Sequence, residues 1–158
     1  MTEDARFEDG AERPLRLRAE SPEDLEVVSA LLQDAVAQTS EIAWARRHRR
    51  FSLLVNRFRW EDEAAAERQG RPFERVQAVL AVDGVLNARA SGVDPKDRDL
   101  VLSLLALAFE PREDGAGVLT LILAGDGEIA LDVECLDVTL ADVTRPYLAR
   151  GRPSHPAA

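Results

Sequence analysis

The stretch Leu100-Val-Leu-Ser-Leu-Leu-Ala-Leu-Ala-Phe109, Gly117-Val-Leu-Thr-Leu-Ile-Leu-Ala124 and Ile129-Ala-Leu-Asp-Val-Glu-Cys135 decides the fold class. In its last segment Ile129, Leu131, Val133 and Cys135 alternate with Asp132 and Glu134, the two-residue period of a half-buried strand. The first two segments are the most apolar of the chain. The links between the three, built on Pro111-Arg-Glu-Asp-Gly115 and Gly125-Asp-Gly127, are polar and too short for a crossover helix. Strands joined that closely pair antiparallel. At Leu136 the parity flips, since Leu136, Val138 and Leu140 would continue inside. A two-residue period allows that only through a bulge or a turn.

Upstream, Val76, Ala78, Leu80 and Val82 alternate up to Asp83-Gly84, a tight-turn dipeptide, so residues 85–90 are expected to return as the partner strand of a hairpin. Residues 92–99 form a turn-rich connection. Residues 61–72 read as a polar loop with one helical turn on the alanines. Ile42 and Trp44, then residues 51–58, read as two strands joined at an arginine cluster, an antiparallel hairpin with a basic tip. Residues 15–19 alternate as another strand. Ser21-Pro22-Glu23-Asp24 is a helix start, with a serine cap, proline at the first helical position and two acids on the dipole. Leu25, Val28, Leu32, Ala35 and Val36 follow at helical spacing, predicting a helix over 21–37. The reading is α+β: a curved antiparallel sheet or partly open barrel of seven to eight strands, with one long N-terminal helix. A pleckstrin-homology-like arrangement is one solution of that element count. Residues 14–149 form a single domain between a disordered acidic tail, 1–13, and a second disordered tail, 150–158.

Composition excludes several classes. The 158 residues are 46% apolar and 31% charged, globular proportions even at net charge −9. No apolar run approaches the roughly 20 residues of a bilayer span, so no membrane role is expected. The N-terminal Met1-Thr2-Glu3-Asp4 is acidic where a signal peptide is basic, and Cys135 is the sole cysteine. Both favour the cytoplasm. Nineteen of the twenty basic residues are arginine. Residues 41–60 carry six of them against the single acid Glu41, while residues 113–142 hold eight acids and no lysine or arginine.

The basic segment supplies the candidate interaction surface: Trp44, Arg46, Arg47, His48, Arg49, Arg50, Arg57, Arg59 and Trp60. Guanidinium groups neutralise phosphates and aromatic faces stack exposed bases, which suits single-stranded nucleic acid. Against this, a nucleic-acid domain is usually basic overall, and the isoelectric point is about 4.8. Trp44, Phe51, Phe58 and Trp60 would otherwise be core residues, with the arginines paired to Asp132, Glu134 or Asp137. His48 and His155 are the only histidines, too few for a metal pair or a charge-relay triad. Cys135 reads as a buried structural thiol, its neighbouring acids suppressing nucleophilicity. The glycine pairs at 115/117 and 125/127 precede strands, whereas phosphate loops need a following helix. No catalytic, metal or cofactor residues are assigned.

Residues 15–36, Arg50-Phe-Ser-Leu-Leu-Val-Asn-Arg-Phe-Arg-Trp-Glu61 and Val133-Glu-Cys-Leu-Asp-Val-Thr-Leu-Ala-Asp142 together resemble an uncharacterised bacterial family, a domain of unknown function. The resemblance spans roughly residues 14–148. It implies a single-domain bacterial protein and carries over no activity. The expectation is therefore a non-catalytic protein-binding or adaptor module with a protein partner or as a homodimer. The second reading is RNA or single-stranded nucleic-acid binding through residues 44–60.

Overall fold

The computed structural model describes residues 13–94 and 96–153. The elements run β1 (Arg16–Ala19), α1 (Pro22–Leu32), β2 (Val36–Gln38), β3 (Ile42–Ala45), β4 (Arg50–Phe58), α2 (Glu63–Gln69), β5 (Glu74–Asp83), β6 (Val85–Ser91), β7 (Val101–Pro111), β8 (Gly117–Leu123), β9 (Glu128–Val133), β10 (Val138–Asp142) and β11 (Tyr147–Leu148). Strands are ordered β1-β10-β5-β4-β2-β7-β8-β9-β6 in one open sheet, with β11 added to β5 and β3 to β4. The pairings are antiparallel. Among the described residues, eleven strands stand where seven to eight were expected, and two short helices where one long one was. The count behind a pleckstrin-homology-like arrangement therefore does not hold. The tail readings at 1–12 and 154–158 lie outside the described residues.

Helix α1 starts as its sequence dictates. The Ser21 hydroxyl accepts from the Asp24 N–H at 3.2 Å and Pro22 opens the first turn. It ends at Leu32, five residues short of the expected 37. Asp34 turns left-handed (φ +64°), its N–H donates to the Leu104 carbonyl at 2.8 Å, and the Leu104 N–H donates to the Ala35 carbonyl at 2.8 Å. Strand β7 thus captures the chain. Ala35 and Val36 are apolar because they enter the sheet, and their helical spacing is a coincidence of the two periods. Leu25, Val28 and Leu32 are buried in a continuous core with Leu53, Leu80, Leu104, Leu121, Leu131 and Leu140. The helix lies across β7, β1 and β4, so the sheet curls round it.

The hairpin expected at Asp83-Gly84 does not form. Both edges of β5 are taken, by β4 on one side and by β10 and β11 on the other, and β6 pairs with β9 instead. Gly84 (φ +74°) is a corner: its carbonyl accepts from the Glu134 N–H, and the next N–H, of Val85, donates to the Arg49 carbonyl. The parity break after Val133 is a bend at Glu134 and Cys135, between β9 and β10. It buries Leu136 and leaves Cys135 exposed, so the thiol is not a core residue.

Candidate functional site

Strands β3 and β4 form the basic hairpin, with Trp44 opposite Phe51 and Ala45 opposite Arg50. The link is one 3₁₀ turn, Arg46–His48, closed by Arg49 in the left-handed region (φ 51°). Residues 46–50 are exposed, but their charge is partly spent. Arg49 pairs with Glu134 and Arg50 with Asp83, the latter at 3.3 Å. The Arg46 guanidinium lies 6.0 Å over the Trp44 ring. Arg47 and His48 have no ion-pair partner among the described residues. Neither tryptophan is a free platform. Trp44 is half-buried against the core, with its indole N–H enclosed and without an acceptor among the described residues. Trp60 is half-buried too, donates to the Gln33 carbonyl at 3.0 Å and packs against Phe58 with the rings tilted by 58° and their centroids 4.6 Å apart.

Arg57 and Arg59 leave the candidate surface altogether: they are 0% and 7% exposed. Along β4 the inward residues are Phe51, Leu53 and Val55, and the same parity turns residue 57 inward. Arg57 donates to Glu61 at 2.9 and 2.7 Å and to Asp142 at 3.1 and 3.2 Å. Asp142 also accepts the Leu15 N–H at 3.0 Å. Arg59 pairs with Glu74 and lies 3.6 Å from Asp62, which takes Arg71 in a two-pronged pair at 2.7 and 2.8 Å. Burial pushes the Glu61 carboxyl up, but the Arg57 hydrogen bonds outweigh it and hold the group below the usual carboxylate range. The Asp62 carboxyl is likewise held low, chiefly by its hydrogen bonds from Arg71. These groups close the end of the core and are unavailable to a ligand.

A site with no signal in the sequence lies between α1 and β7. β2 pairs with β7 only over Val101–Ser103, and Leu104 bonds to residues 34 and 35. Beyond Leu104 this edge carries no strand among the described residues, and the Leu107 N–H is met by the Ser29 hydroxyl at 2.9 Å. The edge and α1 enclose a groove of about 530 Å³ lined by Leu25, Glu26, Ser29, Ala30 and Gln33 and by residues 105–109. No basic side chain lines it. Leu105 stands 36% exposed at its mouth.

Among the described residues, no three His, Cys, Asp or Glu side chains are grouped to hold a metal ion, and no helix is long and apolar enough to cross a membrane. No curated protein and no solved structure matches the chain. A family model described as "Protein of unknown function (DUF2948)" matches residues 15–155.

Proposed function

We propose that this chain, which belongs to the DUF2948 family of proteins of unknown function, is a non-catalytic, cytoplasmic protein-binding module that takes an extended partner segment on the open edge of β7. The observation that carries this reading is that edge: past Leu104 the side of β7 opposite β8 has no strand partner among the described residues, and the flanking helix leaves a groove open. An unpaired strand edge recruits an extended backbone, and alternate side chains of the added strand fill pockets beside it. The groove walls are apolar apart from Glu26, Ser29 and Gln33, and Glu23 stands in the same helix. An extended segment alternating apolar with basic residues complements that lining.

The test uses labelled protein and ten-residue peptides alternating leucine or valine with arginine. Bound peptides should shift the amide resonances of residues 105–110. Methylating the peptide's alternate backbone nitrogens should abolish the shifts, as should Ala30→Trp, which fills the groove from an exposed helix position. Shifts confined to other strands, or binding indifferent to N-methylation, overturn the reading. Arg47 and His48, exposed and without an ion-pair partner among the described residues, favour the second reading, single-stranded nucleic acid at the hairpin tip. In that case a ten-nucleotide RNA should bind at low salt, weaken steeply as salt rises and be lost in the Arg46, Arg47, Arg49 and Arg50→Gln variant. The engaged faces of Trp44 and Trp60 weigh against it, because base stacking needs a free ring.

A further inference from the structure

Four arginines among the described residues are withdrawn from full exposure: Arg57, Arg59, Arg71 and Arg75. The first three clasp carboxylates, as a guanidinium removed from water requires. Arg75 does not. Its Nη1 donates to the Asn56 carbonyl and to Asn56 Oδ1, both at 3.2 Å and both neutral. A guanidinium carries five N–H donors, and Nε and Nη2 meet no acceptor among the described residues.

Arg75 borders a cavity of about 550 Å³ on the outer face of the sheet, where Asn56 of β4, Arg75 of β5 and Tyr147 of β11 come together. Residues 149–153 fold back over it. The Ala149 N–H donates to the Phe73 carbonyl at 2.8 Å, and Arg152 is anchored on Glu63 at 3.1 Å and over the Phe73 ring at 5.7 Å. Arg150 also lines the cavity, and no carboxylate does. In a chain at net −9, that lining carries positive side chains and no negative one. Burial pushes the Tyr147 phenol up, with Arg75 opposing, so at neutral pH its O–H is a donor. The cavity is far larger than an inorganic anion and falls within the roughly 300–1,000 Å³ of organic-ligand pockets.

We propose that this cavity binds a small organic oxyanion, a molecule bearing a carboxylate or a phosphate, with its charged group on Arg75 and its body against Leu148 and Pro153. A planar guanidinium matches either oxyanion with two parallel hydrogen bonds. The Asn56 amide and the Tyr147 hydroxyl supply neutral donors beside it, and Arg150 adds a second charge at the exposed rim.

Isothermal titration with phenyl phosphate, benzoate and benzyl alcohol tests the assignment. At least one of the two anions should bind about tenfold or more tighter than the alcohol, the weight of one charge-assisted contact. That preference should vanish in Arg75→Gln. Binding by phenyl phosphate alone assigns a phosphate ligand, and binding by benzoate alone a carboxylate. Tyr147 is the only tyrosine, so its phenolate absorbance gives a second readout: a bound anion should raise its titration midpoint. Equal affinity for benzyl alcohol, no binding of either anion, or unchanged anion binding in folded Arg75→Gln overturns the proposal. If Arg75→Gln does not fold, a Tyr147 titration unmoved by either anion overturns it.

Discussion

Arg57 shows how one residue's meaning depends on strand parity. Read as part of an arginine-rich segment it belongs to a ligand surface; read as the fourth inward position after Phe51, Leu53 and Val55 it belongs inside. The inward reading was legible in the alternation, and charge alone concealed it. What the sequence lacked was the partner, because Asp142 lies 85 residues away. Removing Asp142 leaves the fully buried Arg57 guanidinium with Glu61 as its one carboxylate, so Asp142→Ala should cost about 3 kcal/mol in urea unfolding, the low end for a broken buried pair. The same network predicts acid sensitivity. Glu61 and Asp62 are held below their ordinary values in the folded chain, so the stability they contribute is complete above the unfolded pKa of about 4 and is lost as pH falls through the lower folded values. Glu61→Gln should flatten the fall in urea midpoint below about pH 4 while lowering the midpoint at pH 7; an equally steep fall would remove Glu61 from the linkage.

At the scale of elements, starts were easier to read than ends. The Ser21-Pro22 cap is local chemistry and holds in the structure, whereas the helix end was decided by hydrogen bonds to Leu104, 70 residues downstream. Leu32, in the last helical turn, is fully buried, and Leu32→Ala should remove about 2–5 kcal/mol, measured by the denaturation midpoint. The β7–β8 hairpin offers a sharper test. A Cβ on Gly117 would meet the Glu110 carbonyl oxygen and the Phe109 ring, each at 2.5 Å. Backbone cannot yield there without parting the two strands, so Gly117→Ala should destabilise by about 1–3 kcal/mol, as overpacking does. The Asp83-Gly84 pair marks the limit of turn chemistry. It specifies a left-handed bend at Gly84, and whether the chain then folds back or turns a corner depends on which strands already occupy the edges of β5.

Across the whole molecule, the charge segregation counted along the chain is largely cancelled in space. Acids from β5, and from the bend after β9, meet the arginine tip. Replacing Arg46, Arg47, Arg49 and Arg50 by glutamine breaks two exposed ion pairs of about 0–1 kcal/mol each, and it removes four positive charges from a chain already at −9. The melting temperature should therefore fall by only a few degrees at physiological salt, and by less at high salt; a collapse of the fold would show that the tip is structural.

The sequence by itself determined the antiparallel, sheet-rich class, the cap of α1, the basic hairpin and the break in parity after Val133, because each follows from a local period or a turn a few residues long. Tertiary structure alone decided the strand order, the corner at Gly84, the carboxylates that hold Arg57 and Arg59, the open edge of β7 and the cavity at Arg75. Each of these depends on which distant strand occupies an edge. Antiparallel pairing sets how two strands meet and leaves open which two they are, so partner choice is settled only when the whole core packs.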